Sequence, residues 1–292
     1  MHHPHGTPHL DARTELCALI GNPVHHSLSP AIHNAAFAAA GLNLAYLAFR
    51  VEDVGNALRG ARALGLRGLS VTIPHKVAVI EHLDELDPIA ARIGSVNTIV
   101  NRAGRLIGYT TDGVGALAAL REASADPRDR DVVILGAGGS ARAIAMTLAL
   151  ESPPRRLAIA ARDARKAERL AGDVASAARG VAASGLALDH PDVAARVRGA
   201  QILIHTTSVG MAPHTTGCVV PSEWLAPTHT VFDIVYTPRE TELLRRATRA
   251  GARPVLGLEM FVRQAAAQFE LWTGLGAPLD VLRRAAEAGL AA

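Results

Sequence analysis

Residues 131–142 run Asp-Val-Val-Ile-Leu-Gly-Ala-Gly-Gly-Ser-Ala-Arg. After Asp131 the run to Leu135 is apolar on both faces, as a strand inside a parallel sheet is. The glycines spell G-x-G-x-x-A between that strand and an apolar helical stretch to Leu150. Gly136 permits a tight turn, Gly138 lets the backbone approach a pyrophosphate, and Ala141 allows close packing of helix on strand. Amide groups at the helix start then face the anion. Gly136, Ala137, Gly138, Gly139, Ser140 and Ala141 are therefore candidate dinucleotide contacts. The competing reading is a glycine-rich turn kept for packing alone.

The same alternation continues downstream. Leu157–Ala161 reads as a strand, Ala167–Ala178 as a helix, and Gln201–His205 and Val231–Val235 as later strands. Repeated β-α-β units predict a doubly wound parallel sheet. Upstream lies a second α/β block. Strands are expected at Glu15–Ile20, Leu44–Val51 and Gly68–Ile73. Between them stand a helix N-capped by Ser29 with Pro30 behind it and stopped at Gly41, and a helix over Glu52–Leu64. A helix is expected near Val77–Leu83, and Asn97–Val100 and Arg105–Tyr109 flank Ala103-Gly104 as a hairpin. Glu259–Trp272 and Leu279–Ala288 read as closing helices. The predicted fold class is α/β, with two domains.

Composition agrees with this. Of 292 residues, 49% are hydrophobic and 20% charged, which suits two ordinary cores and excludes a disordered chain. The net charge of +3 comes from scattered Lys and Arg, so no nucleic-acid-binding face is expected, while small anions are compatible. Nothing here argues against a homo-oligomer. Cys17 and Cys218 stand far apart outside any CxxC, which fits a reducing cytoplasm without disulfide or zinc site. No apolar run reaches the ~18–20 residues that span a bilayer, and the start has no apolar signal core. Neither a membrane partner nor secretion is expected. His2, His3, His5 and His9 could bind metal adventitiously but read as a disordered tail or expression remnant. No other ligand cluster appears, so no resident metal is expected.

Several polar residues fall at element ends, where open α/β sheets bind ligands. Ser27 and Ser29 stand at a helix start that favours an anion. Lys76 follows the strand-ending Pro74, and Asn97, Thr98, Thr110 and Asp112 end or begin other elements. Each has a bland alternative: Ser29 or Asp112 as a cap, Lys76 as a surface charge.

These segments occur in one order along the chain: GNPVHHSLSPAIHN (21–34), VTIPHK (71–76), GSVNT (94–98), TDG (111–113), GAGGSAR (136–142), TTSVGM (206–211), FDIVY (232–236) and GLEMFVRQAAAQFELW (257–272). Order and wording resemble the shikimate dehydrogenase family, with its quinate/shikimate relatives, over roughly residues 15–285. The resemblance implies a catalytic lysine–aspartate pair at Lys76 and Asp112. It implies a carboxylate grip at Ser27 and Ser29 with Tyr236, and contacts to ring hydroxyls at Thr72, Asn97 and Gln264. Thr206, Ser208 and Gly257 fall on the cofactor side. The implied reaction is reversible NAD(P)-dependent reduction of 3-dehydroshikimate to shikimate, on the route to chorismate and aromatic amino acids. Rivals are a quinate/shikimate or aminoshikimate dehydrogenase and, from another class, a dinucleotide-sensing protein without turnover. The implied organisation is a substrate domain of residues 1–112 and 257–292, with a Rossmann domain of residues 113–256 inserted. Gly113 and the segment near Gly257 are expected to act as hinges.

Three positions depart from the family's pattern: Ser70 and Thr110 stand where Asn is usual, and His75 replaces an aromatic. The first two put the substrate in question, because a hydroxyl lacks the amide's paired donor and acceptor. Cofactor choice rests on residues 162–166. Arg162 and Lys166 match basic positions of NADP-using members, and a guanidinium suits a phosphate. Asp163 would instead accept the ribose hydroxyl of NAD if it faces the site, or would cap the next helix. NADP is expected, with NAD the alternative.

Overall fold

A computed structural model describes residues 10–291, so the histidine-rich start lies outside the described residues. The chain divides into two compact units. One runs up to Thr111 and resumes at Gln264, and the other is Asp112–Arg263.

The first unit contains β1 (Glu15–Gly21), α1 (Ser29–Ala39), β2 (Leu44–Arg50), α2 (Val54–Ala63) and β3 (Gly68–Val71). After a 3-10 turn at Ala78–His82 come β4 (Glu85–Leu86), α3 (Pro88–Ile93), β5 (Thr98–Arg102) and β6 (Arg105–Tyr109). The strands form a mixed sheet in the order β2-β1-β3-β5-β6-β4, with β5 antiparallel to both β3 and β6. Helix α2 forms because Asp53 caps it, accepting the Asn56 amide at 2.9 Å, and because Val54, Leu58 and Ala61 recur on one buried face.

The second unit runs α4 (Asp112–Glu122), β7 (Asp131–Leu135), α5 (Gly139–Glu151), β8 (Arg156–Ala161), α6 (Ala164–Ala177) and β9 (Ala182–Ala187). Then follow α7 (Asp192–Gly199), β10 (Ile202–His205), β11 (Thr230–Asp233), α8 (Glu242–Arg249) and β12 (Arg253–Val255). Helix α9 (Gly257–Thr273) returns the chain to the first unit, which α10 (Leu279–Ala291) completes. All strand pairs of the second sheet are parallel, in the order β12-β11-β10-β7-β8-β9. Counted from β7, this is the 3-2-1-4-5-6 order of doubly wound dinucleotide-binding sheets, and the order reverses between β7 and β10. Among the described residues no helix is long and apolar enough to cross a membrane.

Three expectations need correction. Helix α1 begins at Ser29 itself, with Leu28 at the cap position, because the Ser29 hydroxyl is engaged by Ser27. The segment near Val77–Leu83 closes as a short 3-10 turn. The return between units falls inside α9, at Arg263/Gln264 and not at Gly257, because one helix serves both units. Its first turns pack Phe261 on Tyr236, while its last turns bond Trp272 Nε1–H to the Ile99 carbonyl at 3.0 Å. The sequence reading assigns nothing to β4, α3, β9, α7, α8 and β12. The strand β9, Ala-Ala-Ser-Gly-Leu-Ala, lacks the β-branched and aromatic residues that signal strands and forms by pairing with β8.

Candidate active site and cofactor turn

In the first unit, polar residues gather where β1, β3 and β6 end. Ser27 Oγ lies 3.2 Å from Ser29 Oγ and accepts the Ser29 amide at 3.2 Å, so both hydroxyls sit at the start of α1. Beyond β3, the Thr72 carbonyl accepts the His75 amide at 2.9 Å, which turns the chain at Pro74. His75 is buried, and its Nε2 donates to the Val51 carbonyl at 2.8 Å. It therefore ties this turn to the end of β2. Lys76 is half-buried, and its carbonyl receives the Val96 amide at 2.8 Å, which joins the lysine turn to the Asn97 segment.

Asn97 is buried and fully oriented. Its Oδ1 accepts the Thr111 amide at 2.8 Å and the Thr98 hydroxyl at 2.9 Å. Its Nδ2 donates to Thr111 Oγ1 at 2.9 Å and to Gln264 Oε1 at 3.2 Å. Behind it runs a buried chain that the sequence does not announce. Tyr46 donates to Ser70 Oγ at 2.6 Å, and Ser70 donates to Gln268 Oε1 at 3.0 Å. Gln268 Nε2 donates to Thr98 Oγ1 at 3.0 Å and to the Asn97 carbonyl at 3.2 Å. Ser70 is thus a link in the support of Asn97. His33 stacks on Tyr46 with centroids 4.6 Å apart, and its Nε2 lies 3.3 Å from Gln268 Oε1. Burial pushes the His33 imidazole down to about 3. Thr110 keeps a buried hydroxyl with no partner.

In the second unit, Asp112 opens α4 only 3 % exposed, and the Ser140 hydroxyl donates to its Oδ2 at 3.5 Å. Gly136 has φ +124, which a side chain would strain, and Gly138 faces open space where a Cβ would meet nothing within 4 Å. Helix α5 has no side-chain cap, Gly138 being its N-cap, and Ala141 in its first turn is fully buried. This cradle suits a pyrophosphate: its open side is bare backbone at a helix start. Thr206 ties β10 to β7 through its hydroxyl, 2.8 Å from the Leu135 carbonyl, and Ser208 is exposed two residues on. Gly257 abuts the segment after β11, since a Cβ would lie 2.5 Å from the Val235 carbonyl oxygen. Tyr236 stacks on Phe261 with centroids 4.3 Å apart. After β8, Arg162 is exposed, while Asp163 caps α6 by accepting the Lys166 amide at 3.2 Å.

Of the expected residues, the first unit brings Asn97 and Gln264 into direct bond and sets Lys76 beside the Asn97 segment. Ser27 and Ser29 form a separate pair. The turn residues, Asp112 and Thr206 gather around β7 and α5 in the second unit.

The parallel sheet, its reversal point and the glycine turn define a dinucleotide-binding protein of the Rossmann type with a second α/β unit. Residues 19–99 match the shikimate dehydrogenase substrate binding domain, and residues 257–287 the shikimate 5'-dehydrogenase C-terminal domain. A shikimate dehydrogenase (NADP(+)) of Moorella thermoacetica is 49% identical over 94% of this chain and 92% of its own. A crystal structure of a shikimate dehydrogenase in complex with NADP+ superposes with TM-score 0.87 at 39% identity, covering 96% of this chain and 97% of its own. The shikimate 5-dehydrogenase of Listeria monocytogenes, solved with shikimate and NAD, gives TM-score 0.86 at 37% identity over 95% and 98%. The chain belongs to the shikimate dehydrogenase family.

Proposed function

We propose that the protein is an NADP-dependent shikimate dehydrogenase of the cytoplasm, interconverting 3-dehydroshikimate and shikimate on the route to chorismate. The observation that carries this is the 49% identity to a shikimate dehydrogenase (NADP(+)) across 94% of the chain. Bound NADP(H) supplies or takes up the hydride at the ring carbon. The chain supplies position and charge. As the ketone oxygen gains negative charge, the Lys76 ammonium stabilises it and a proton reaches it through the Lys76–Asp112 pair. Asp112 orients the ammonium. Ser27 and Ser29 at the start of α1, with Tyr236, hold the carboxylate. Thr72, Asn97 and Gln264 bind ring hydroxyls, and the buried chain from Tyr46 to Asn97 keeps the asparagine from rotating.

The residues of the turn, Gly136 to Ala141, hold the pyrophosphate. Thr206, Ser208 and Gly257 belong to the nicotinamide side. Arg162 and Lys166 receive the 2′-phosphate, and Asp163 caps α6 beside them. Steady-state rates with shikimate and quinate, each with NADP+ and NAD+, test the proposal. Shikimate with NADP+ is expected to give the highest kcat/KM. A preference for quinate, or for NAD+, would overturn the substrate or the cofactor assignment respectively.

A further inference from the structure

His205 ends β10 in register with Asp233 at the end of β11, and both are buried, at 1% and 0% exposure. His205 Nδ1 lies 2.9 Å from Asp233 Oδ1. Asp233 also accepts the Val235 amide at 3.1 Å and the Thr241 hydroxyl at 2.6 Å. A carboxylate only accepts, so Nδ1 of His205 carries a proton. The other nitrogen, Nε2, lies 2.5 Å from Thr207 Oγ1 and shares a hydrogen bond with it. Thr207 Oγ1 in turn accepts the Val209 amide at 3.2 Å. The threonine is therefore fixed through its oxygen from two sides. Its methyl group is placed as firmly: a Cβ on Gly136 would stand 3.3 Å from Thr207 Cγ2. Thr207, half-buried, is braced between a buried His–Asp pair and the first glycine of the cofactor turn.

Each half of a doubly wound sheet serves one mononucleotide, and the two halves meet at the reversal of strand order. The β7–β9 half carries Arg162, so the end of β10 belongs to the nicotinamide half. The geometry points to His205, held by Asp233, as a positioning residue for that half: it fixes Thr207 Oγ1 as a hydrogen-bonding contact for the nicotinamide nucleoside. The inference rests on the dinucleotide function proposed above. A pair that merely joined β10 to β11 would not need the Thr207 hydroxyl.

Calorimetric titration of the full chain with NADP+, and separately with adenosine 2′,5′-bisphosphate, distinguishes the two roles. Thr207→Val keeps the shape and removes the hydroxyl. It is expected to weaken NADP+ binding by about threefold to tenfold, the worth of one hydrogen bond, and to leave the bisphosphate unaffected. Thr207→Ser is expected to bind NADP+ as the wild type does. His205→Gln retains an amide toward Asp233 but not the span of the ring. It should match the loss of Thr207→Val, and the double variant should lose no more. NADP+ affinity unchanged in Thr207→Val, an equal loss for both ligands, or a His205→Gln variant binding like wild type would overturn the inference. A wild type that binds neither ligand would instead defeat the dinucleotide function itself, and the inference with it.

Discussion

Lys76 is held by its backbone, through the Val96 amide on its carbonyl, so its side chain can be removed without releasing the turn. Lys76→Ala is expected to lower kcat by roughly two or more orders of magnitude, typical of an acid–base or electrostatic group, with a much smaller change in substrate affinity. A near-wild-type kcat in steady-state assays would remove Lys76 from the mechanism. Ser27 and Ser29 make a different test. Ser27→Ala is expected to cost about 1.5–3 kcal/mol of binding to a charged group, read as a raised KM for shikimate. An analogue lacking the carboxylate should show little change, and an equal effect on both compounds would make Ser27 structural only. Arg162 is exposed after β8 beside a carboxylate already engaged as a cap. Arg162→Ala should therefore lower kcat/KM for NADP+ while sparing NAD+. A wild type that prefers NAD+ and is indifferent to the substitution would contradict the 2′-phosphate role.

Helix α4 carries Asp112 as its first residue, and its placement depends on the glycine that follows. A Cβ on Gly113 would come within 2.6 Å of the Ala143 carbonyl oxygen on α5, an obstacle of backbone that cannot rotate away. The two helices can lie this close only without that atom. Alanine favours helices over glycine by up to ~1 kcal/mol, yet Gly113→Ala is expected to destabilise the protein by about 1–3 kcal/mol through overpacking. Chemical denaturation would measure it, and an unchanged or raised midpoint would show that α4 can shift. The same contact gives Gly113 a packing role. Gly257, pressed against the Val235 carbonyl, has a similar one.

At the scale of the whole molecule, His33 couples stability to pH. Its folded value is pushed down to about 3 by burial, against an ordinary 6.5. Between those values the unfolded chain binds a proton that the folded chain excludes, so stability falls as pH drops below about 6.5, by at most ~1.4 kcal/mol per pH unit. His26, lowered by partial burial and by His25, adds to the same trend. Thermal denaturation between pH 7 and pH 5 should show the melting temperature falling on acidification. His33→Phe should show a shallower fall, whatever its stability at neutral pH. Equal slopes in the two proteins would mean that His33 is not excluded from protonation.

The strand–turn–helix at 131–150 and the polar residues at element ends were legible in the sequence, because each depends on a few consecutive residues. A glycine that must take φ +124, or a proline that closes a strand, declares itself locally. The family motifs were legible for the same reason, each being a short stretch with its chemistry on its face. The support of those residues was not. Tyr46, Ser70, Gln268 and Asn97 meet only because β1 lies between β2 and β3 and because α9 returns to that sheet from the far end of the chain. Ser70 departs from the family's pattern in sequence, and only the packed sheet shows it as a link in that buried chain. His205 and Asp233 face each other through the register of β10 with β11. That Asp163 caps a helix shows only in the first turn of α6. Hydrophobic periodicity specifies which face of an element is buried. Only the packed sheet, through its strand order and register, sets which distant donor meets which acceptor there.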